Sequence, residues 1–190
     1  MPALLLLLAS PAQEDFAPFY KFKKGTTWTY EMVRGDKDKP RKVVLEVVDE
    51  KEGKVHVLSK EYTDGEAEPK QETLVWYQDG LYLVWADLKD GKERPLVLIG
   101  KSDAKSGETW TGIADNRKEK LTVTQMGDGD VTVPAGTFKK ARKLVIVAQD
   151  GEMKNELEVC LVSKVGMIRM AGSRAGGGSV RMELKEFKTP

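Results

Sequence analysis

Val131-Thr132-Val133-Pro134-Ala135-Gly136-Thr137-Phe138, running on through Lys139 to Val147, is the stretch whose reading decides the fold. A β-branched run stops at a proline, turns through a tight Ala-Gly corner and resumes as a long strand. Pro134 has no N–H to give to a ladder, so it suits a strand end or an edge. Gly136 supplies the positive φ that such a corner needs. The stretch specifies a bend. It holds no base, acid, nucleophile or metal-ligating set.

Working outward, the same grammar repeats. Strands are predicted over 26–33, 41–48, 54–61, 71–78, 81–86, 94–99, 108–112, 118–126 and 130–134, then over 139–149, 152–163, 165–171 and 180–187. In the first of these Trp28, Tyr30 and Met32 alternate with Thr27, Thr29 and Glu31, the period of a half-buried strand. Asp79-Gly80 and Asp150-Gly151 are two-residue hairpin signals. Gly127-Asp128-Gly129 reads as a turn, and Gly172 to Ser179 as a flexible glycine-rich run. No window carries a capped apolar stripe of helical period. The prediction is an all-β antiparallel meander with little helix, curled into a strongly curved half-barrel or barrel-like sheet so that one face can be buried. Residues 13–190 are expected to form a single β domain.

The chain has 190 residues, with 31 Lys and Arg against 30 Asp and Glu, for a formal net charge of +1. Nucleic-acid binders carry a basic surplus or stripe, and neither is present. Cys160 is the only cysteine and His56 the only histidine, so no internal disulfide forms and a His/Cys metal site or haem is not expected. The N-terminal leucine run, Leu4 to Leu8, followed by Ser10-Pro11-Ala12 and polar Gln13-Glu14-Asp15, resembles the end of a secretory signal peptide cut after Ala12. Residues 1–12 are thus expected to be removed on export to the periplasm or beyond. No basic residue precedes the leucines, so a start codon upstream of Met1 is expected. An apolar first strand is the other reading. No further stretch is long enough to span a membrane as a helix.

One internal echo stands out. Gly25-Thr26-Thr27-Trp28-Thr29 recurs 82 residues later as Gly107-Glu108-Thr109-Trp110-Thr111. Two readings fit: a strand-opening device used twice, or a duplicated unit of half the chain.

Taken in order, Gly25-x-x-Trp28-x-Tyr30, Gly107-x-x-Trp110, Val131-x-Val133-Pro134-Ala135-Gly136-Thr137-Phe138 and Val165-Gly166-Met167-Ile168 resemble a diverse group of secreted bacterial proteins that includes the TapB-like proteins. That resemblance implies an exported, mostly β protein and brings no catalytic residues. A looser likeness is to the half-barrels of periplasmic lipoprotein carriers, which close their concave face with helices that this sequence does not supply.

Candidate chemistry is sparse. Cys160 has no histidine or second cysteine to activate it and reads as an inert packed thiol; the Asp150-Gly151 turn sets it opposite Ala141, and Lys143 opposite Glu158. His56 is placed on the face opposite Val55 and Val57. Arg34-Gly35-Asp36 is the integrin tripeptide but also ordinary turn chemistry. Gly127-Asp128-Gly129-Asp130 lacks the ligand spacing of a calcium loop. The Asp79-Gly80 hairpin is richer. A two-residue turn there sets Trp76 opposite Leu83, Leu74 opposite Trp85 and Tyr77 opposite Tyr82, so both faces are apolar or aromatic. An ordinary one-sided sheet has no need of that. Leu74, Trp76, Leu83 and Trp85 are therefore the candidate ligand-binding residues; the same residues would also suit a hairpin covered by chain on both sides. The expectation is a non-enzymatic, cofactor-free binding module of the cell envelope, taking an apolar small molecule or lipid-like group. The alternative is a structural or interaction domain that docks an envelope protein through its aromatic surface.

Overall fold

The computed structural model describes residues 22–35, 38–51, 54–64, 68–78, 82–89, 92–101, 103–111, 120–150, 153–174 and 178–190. The strands are β1 (Thr27–Arg34), β2 (Arg41–Lys51), β3 (Lys54–Tyr62), β4 (Lys70–Gln78), β5 (Tyr82–Lys89), β6 (Lys92–Lys101), β7 (Thr109–Thr111), β8 (Lys120–Val133), β9 (Gly136–Asp150), β10 (Met153–Val162), β11 (Gly166–Arg174) and β12 (Gly178–Lys188). They form one 12-stranded antiparallel sheet in the order β6-β5-β4-β3-β2-β1-β12-β11-β10-β9-β8-β7. Every connection joins neighbours except the one from β6 to β7, whose strands end the order. The described residues contain no helix. The expected all-β curled meander is the observed fold.

Period-2 patterning sets the inner face. Trp28, Tyr30 and Met32 of β1 are buried, as are Val43, Leu45 and Val47 of β2, Val55 and Val57 of β3, and Val180, Met182 and Leu184 of β12. Each such side chain contributes about 1.5–3 kcal/mol on leaving water. The two largest carry polar ends, and both are satisfied at the β10–β11 connection. Trp28 Nε1 donates to the Val165 carbonyl at 2.6 Å, and the Tyr30 hydroxyl donates to that of Met167 at 2.8 Å. Phe22 meets Trp28 edge-on, with ring centroids 4.7 Å apart.

Two contacts curl the sheet. The N–H of Ala135 donates to the Leu184 carbonyl at 3.0 Å, laying the tip of the β8–β9 hairpin onto β12. Arg142 Nη1 on β9 donates to the Lys101 carbonyl at the end of β6, also at 3.0 Å. The tip is tighter than the predicted Ala-Gly corner. Val133 pairs with Gly136, so Pro134 and Ala135 make the turn, and Gly136 opens β9 with φ +132.

Both Asp-Gly hairpins pair two residues away from the predicted register. Trp76 lies opposite Trp85 rather than Leu83, Leu74 opposite Asp87 rather than Trp85, and Tyr77 opposite Val84 rather than Tyr82. In the second, Asp150 belongs to the ladder and pairs with Met153. Cys160 therefore faces Lys143 rather than Ala141, and Glu158 faces Val145 rather than Lys143. The apolar alternation fixes which face a residue takes, but a slip of two preserves that face, so the turn dipeptide alone left the register open. The predicted turn at Gly127-Asp128-Gly129 is instead part of β8, which runs straight through it with ladder shifts on either side. A glycine at φ +111 serves a bulge as readily as a turn. Of the run expected to be flexible, Gly172 belongs to β11 and Gly178 and Ser179 to β12, and 175–177 lie outside the described residues.

The echo has a structural counterpart. The N–H of Gly25 donates to Val47 O and Val47 N–H to Thr26 O; in the second half Gly107 N–H donates to Gln125 O and Gln125 N–H to Glu108 O. Both glycines are at positive φ, +88 and +83. Each half supplies six strands, and corresponding strands begin 79 to 86 residues apart, laid along the sheet in the same direction.

Candidate functional site

The aromatic hairpin sits beside β3, toward the β6 end of the sheet. One ladder row runs Val55, Trp76, Trp85, Val97 across β3 to β6, and the next runs Val57, Leu74, Asp87, Arg94. Val55 and Val57 are core residues, so these rows continue the inner face. Leu74 is half-buried and packed against the core. Leu83 lies opposite Gln78, two positions along from the Trp76–Trp85 pair, and so shares that face. The four predicted residues are thus brought to one face, with the two tryptophan positions directly paired rather than diagonal.

The other singled-out groups are occupied. Cys160 is fully buried, its thiol 3.8 Å from Glu158 Oε1, and burial pushes its pKa up, as for an inert thiol. His56 is half-exposed between buried Val55 and Val57. Arg34 is engaged by Glu61 at 3.0 Å, and Arg41 holds the other oxygen of that carboxylate at 2.8 Å. Asp36 lies outside the described residues, as do residues 1–21, which include the signal-like segment. Asp128, in the calcium-like stretch, accepts from Arg142 Nε and Gln125 Nε2, both at 3.4 Å. Among the described residues no group of His, Cys, Asp and Glu side chains could hold a metal ion.

Two features escaped the sequence reading. Arg142 and Gln125 form a buried polar corner with Asp128 and the end of β6, in which Gln125 Oε1 and the nearby Trp110 Nε1 are buried without a hydrogen-bond partner among the described residues. On the outer face, Glu156, Glu158, Arg169, Arg181 and Glu183 ring a depression of about 460 Å³ floored by Ala171, Gly172 and Ser173. Glu158 and Arg169 form an ion pair. Burial pulls the Arg169 guanidinium down, but the hydrogen bond of Glu158, with the nearby Cys160, Glu158 and Glu183, outweighs it, so its pKa is raised. Neither feature has a local sequence signal, because each joins residues from several strands.

No protein-family model matches the chain, and no curated protein matches it. Solved structures do. An inferred exported protein with a YmcC-like fold from Bacteroides fragilis NCTC 9343 superposes with a TM-score of 0.58 at 15% identity, covering 91% of this chain and 100% of that one. An inferred lipoprotein from Parabacteroides distasonis ATCC 8503 gives 0.61 at 13% identity, covering 90% and 99%. At such identities the likeness shows the fold: the curled sheet of this chain is shared with these two structures over nearly its whole length.

Proposed function

We propose that this protein is an exported, non-enzymatic binding module of the cell envelope, and that the β4–β5 hairpin receives an apolar small molecule or lipid-like group. The carrying observation is the Val55–Trp76–Trp85–Val97 row, which continues the inner face outward toward the edge strand β6. A concave apolar surface with a few polar groups is the usual setting of an apolar ligand site, and here the next row carries Asp87 and Arg94. The export named for one structural relative, the lipoprotein named as the other, the signal-like leucine run and the motif series that resembles the TapB-like proteins all support the envelope assignment.

The test uses the full chain and the probe anilinonaphthalene sulfonate. Saturable probe fluorescence that disappears in Trp76→Ala/Trp85→Ala, with the far-ultraviolet β signal retained, is the expected result. If the face is sealed core, each truncation costs about 3–5 kcal/mol and the variant unfolds, which overturns the reading. The milder Trp85→Phe keeps the fold in either case and should weaken the probe only if the site is open.

A further inference from the structure

We propose that the depression on the outer face of β10–β12 binds a small zwitterion, its acidic group held by Arg181 and its ammonium by Glu183. The floor is the starting point. Gly172 pairs with Leu157 and inner-face Val180, and a Cβ built on it would turn inward and collide with the Glu156 carbonyl oxygen and Leu157, so only its backbone lines the depression. With Ala171 and Ser173 on either side, the floor is bare backbone and small groups.

The walls are charged, and subtracting internal pairs shows what they offer. Glu156 is held by Lys154 at 3.0 Å, and Glu158 is paired with Arg169. Arg181 and Glu183 make no ion pair among the described residues, whereas Glu31 and Glu46, on the same outer face, are paired with Lys185 and Lys60. Arg181 has only Ala171 and Val33 opposite it, whereas Glu183 lies opposite Glu31 and Arg169, which Lys185 and Glu158 respectively already hold. Arg181 and Glu183 lie two residues apart on one side of β12, about 6.6 Å along the strand.

That pattern selects the ligand class. A simple anion reaching Arg181 meets three carboxylates, and a simple cation reaching Glu183 meets two guanidiniums. A molecule with opposite charges a few ångströms apart satisfies both, and the depression is within the size range of small-molecule sites. Free amino acids, phosphoethanolamine and the ethanolamine headgroup of a lipid share this chemistry. The site lies on the face opposite the aromatic hairpin, so either proposal stands or fails without the other.

The probe is O-phosphoethanolamine, titrated into the isotopically labelled full chain by NMR. Saturable shifts of amides 169–173 and 181–183 are expected, with half-saturation at about 1–10 mM for so exposed a pair of contacts. Arg181→Ala and Glu183→Gln should each weaken binding about tenfold, with spectra otherwise superposable, and ethanolamine or inorganic phosphate alone should bind more weakly than the intact zwitterion. Unsaturable shifts, variants that bind like the parent, or phosphate alone matching the zwitterion would each overturn the proposal. Given saturable binding, co-sedimentation with phosphatidylethanolamine vesicles that is lost in both variants assigns a lipid headgroup; no co-sedimentation assigns a free small molecule.

Discussion

Arg142, 4% exposed, donates through Nη1 to the carbonyl of Lys101 at 3.0 Å and so joins β9 to the last residue of β6, two strands from opposite halves of the sheet order. Sheet edges are ordinarily tied by ladders; here the guanidinium, helped by Asp128, ties one alongside the Lys101–Glu108 ion pair. Arg142→Met should cost about 2–4 kcal/mol, since it leaves buried polar partners behind. Denaturant midpoints measure the cost. Hydrogen exchange should show the loss concentrated in β6 and β7, while β1 and β12 keep their protection.

Two glycines should fail for different reasons. At Gly136 an added Cβ meets nothing within 4 Å, but φ is +132. Gly136→Val should therefore cost about 1–3 kcal/mol through backbone strain alone. At Gly172 the conflict is steric and against backbone, so Gly172→Ala, a smaller change, should be the more damaging of the two. A Gly172→Ala midpoint equal to that of the parent would show that β10 and β11 can move apart at no cost.

The paired tryptophans separate in the same way. Trp28 spends its N–H on Val165, and Trp110 buries its own without an acceptor among the described residues. Trp28→Phe loses a buried hydrogen bond and strands a carbonyl, for about 1–3 kcal/mol beyond the lost packing. Trp110→Phe removes an unsatisfied donor and should cost markedly less. Equal losses in thermal or denaturant melts would contradict the assignment of the two indoles.

Tyr30 adds an alkaline branch. Burial pushes its phenol well above the ordinary range, while the unfolded chain ionises near pH 10. Above that pH the unfolded state sheds a proton that the native state retains, so stability falls as pH rises. Tyr30→Phe should lose about 1 kcal/mol at neutral pH with the bond to Met167. The gap between variant and parent should then narrow above pH 10.

Much of the fold was legible in particular residues. Trp28, Tyr30 and Met32 announce a half-buried strand, and the Pro134–Gly136 corner announces a reversal; both are local facts. Register was not legible, because Trp76 keeps its face whether it meets Leu83 or Trp85. The bulged course of β8 through Gly127 was hidden because glycine at positive φ serves turn and bulge alike. The Arg142 corner and the Gly172 floor depend on strands far apart in sequence meeting in space. For the candidate site, sequence supplied the four residues and their shared face, and the coordinates supplied which of them are neighbours.

Gly25, just ahead of β1, and Pro190 come together: a Cβ on Gly25 would lie 3.7 Å from that of Pro190. Thr27 pairs with Lys188 there, and the β1–β12 ladder runs away from that point to Arg34 and Val180. A pull that separates the two ends therefore loads the Thr27–Lys188 pair first and the others in turn. The rungs are not alone: the Trp28–Val165 and Tyr30–Met167 bonds cross the same joint, and Arg142–Lys101 ties the halves at their far ends. Mechanically, the joint between the two six-stranded halves is a ladder riveted by two buried aromatic side chains.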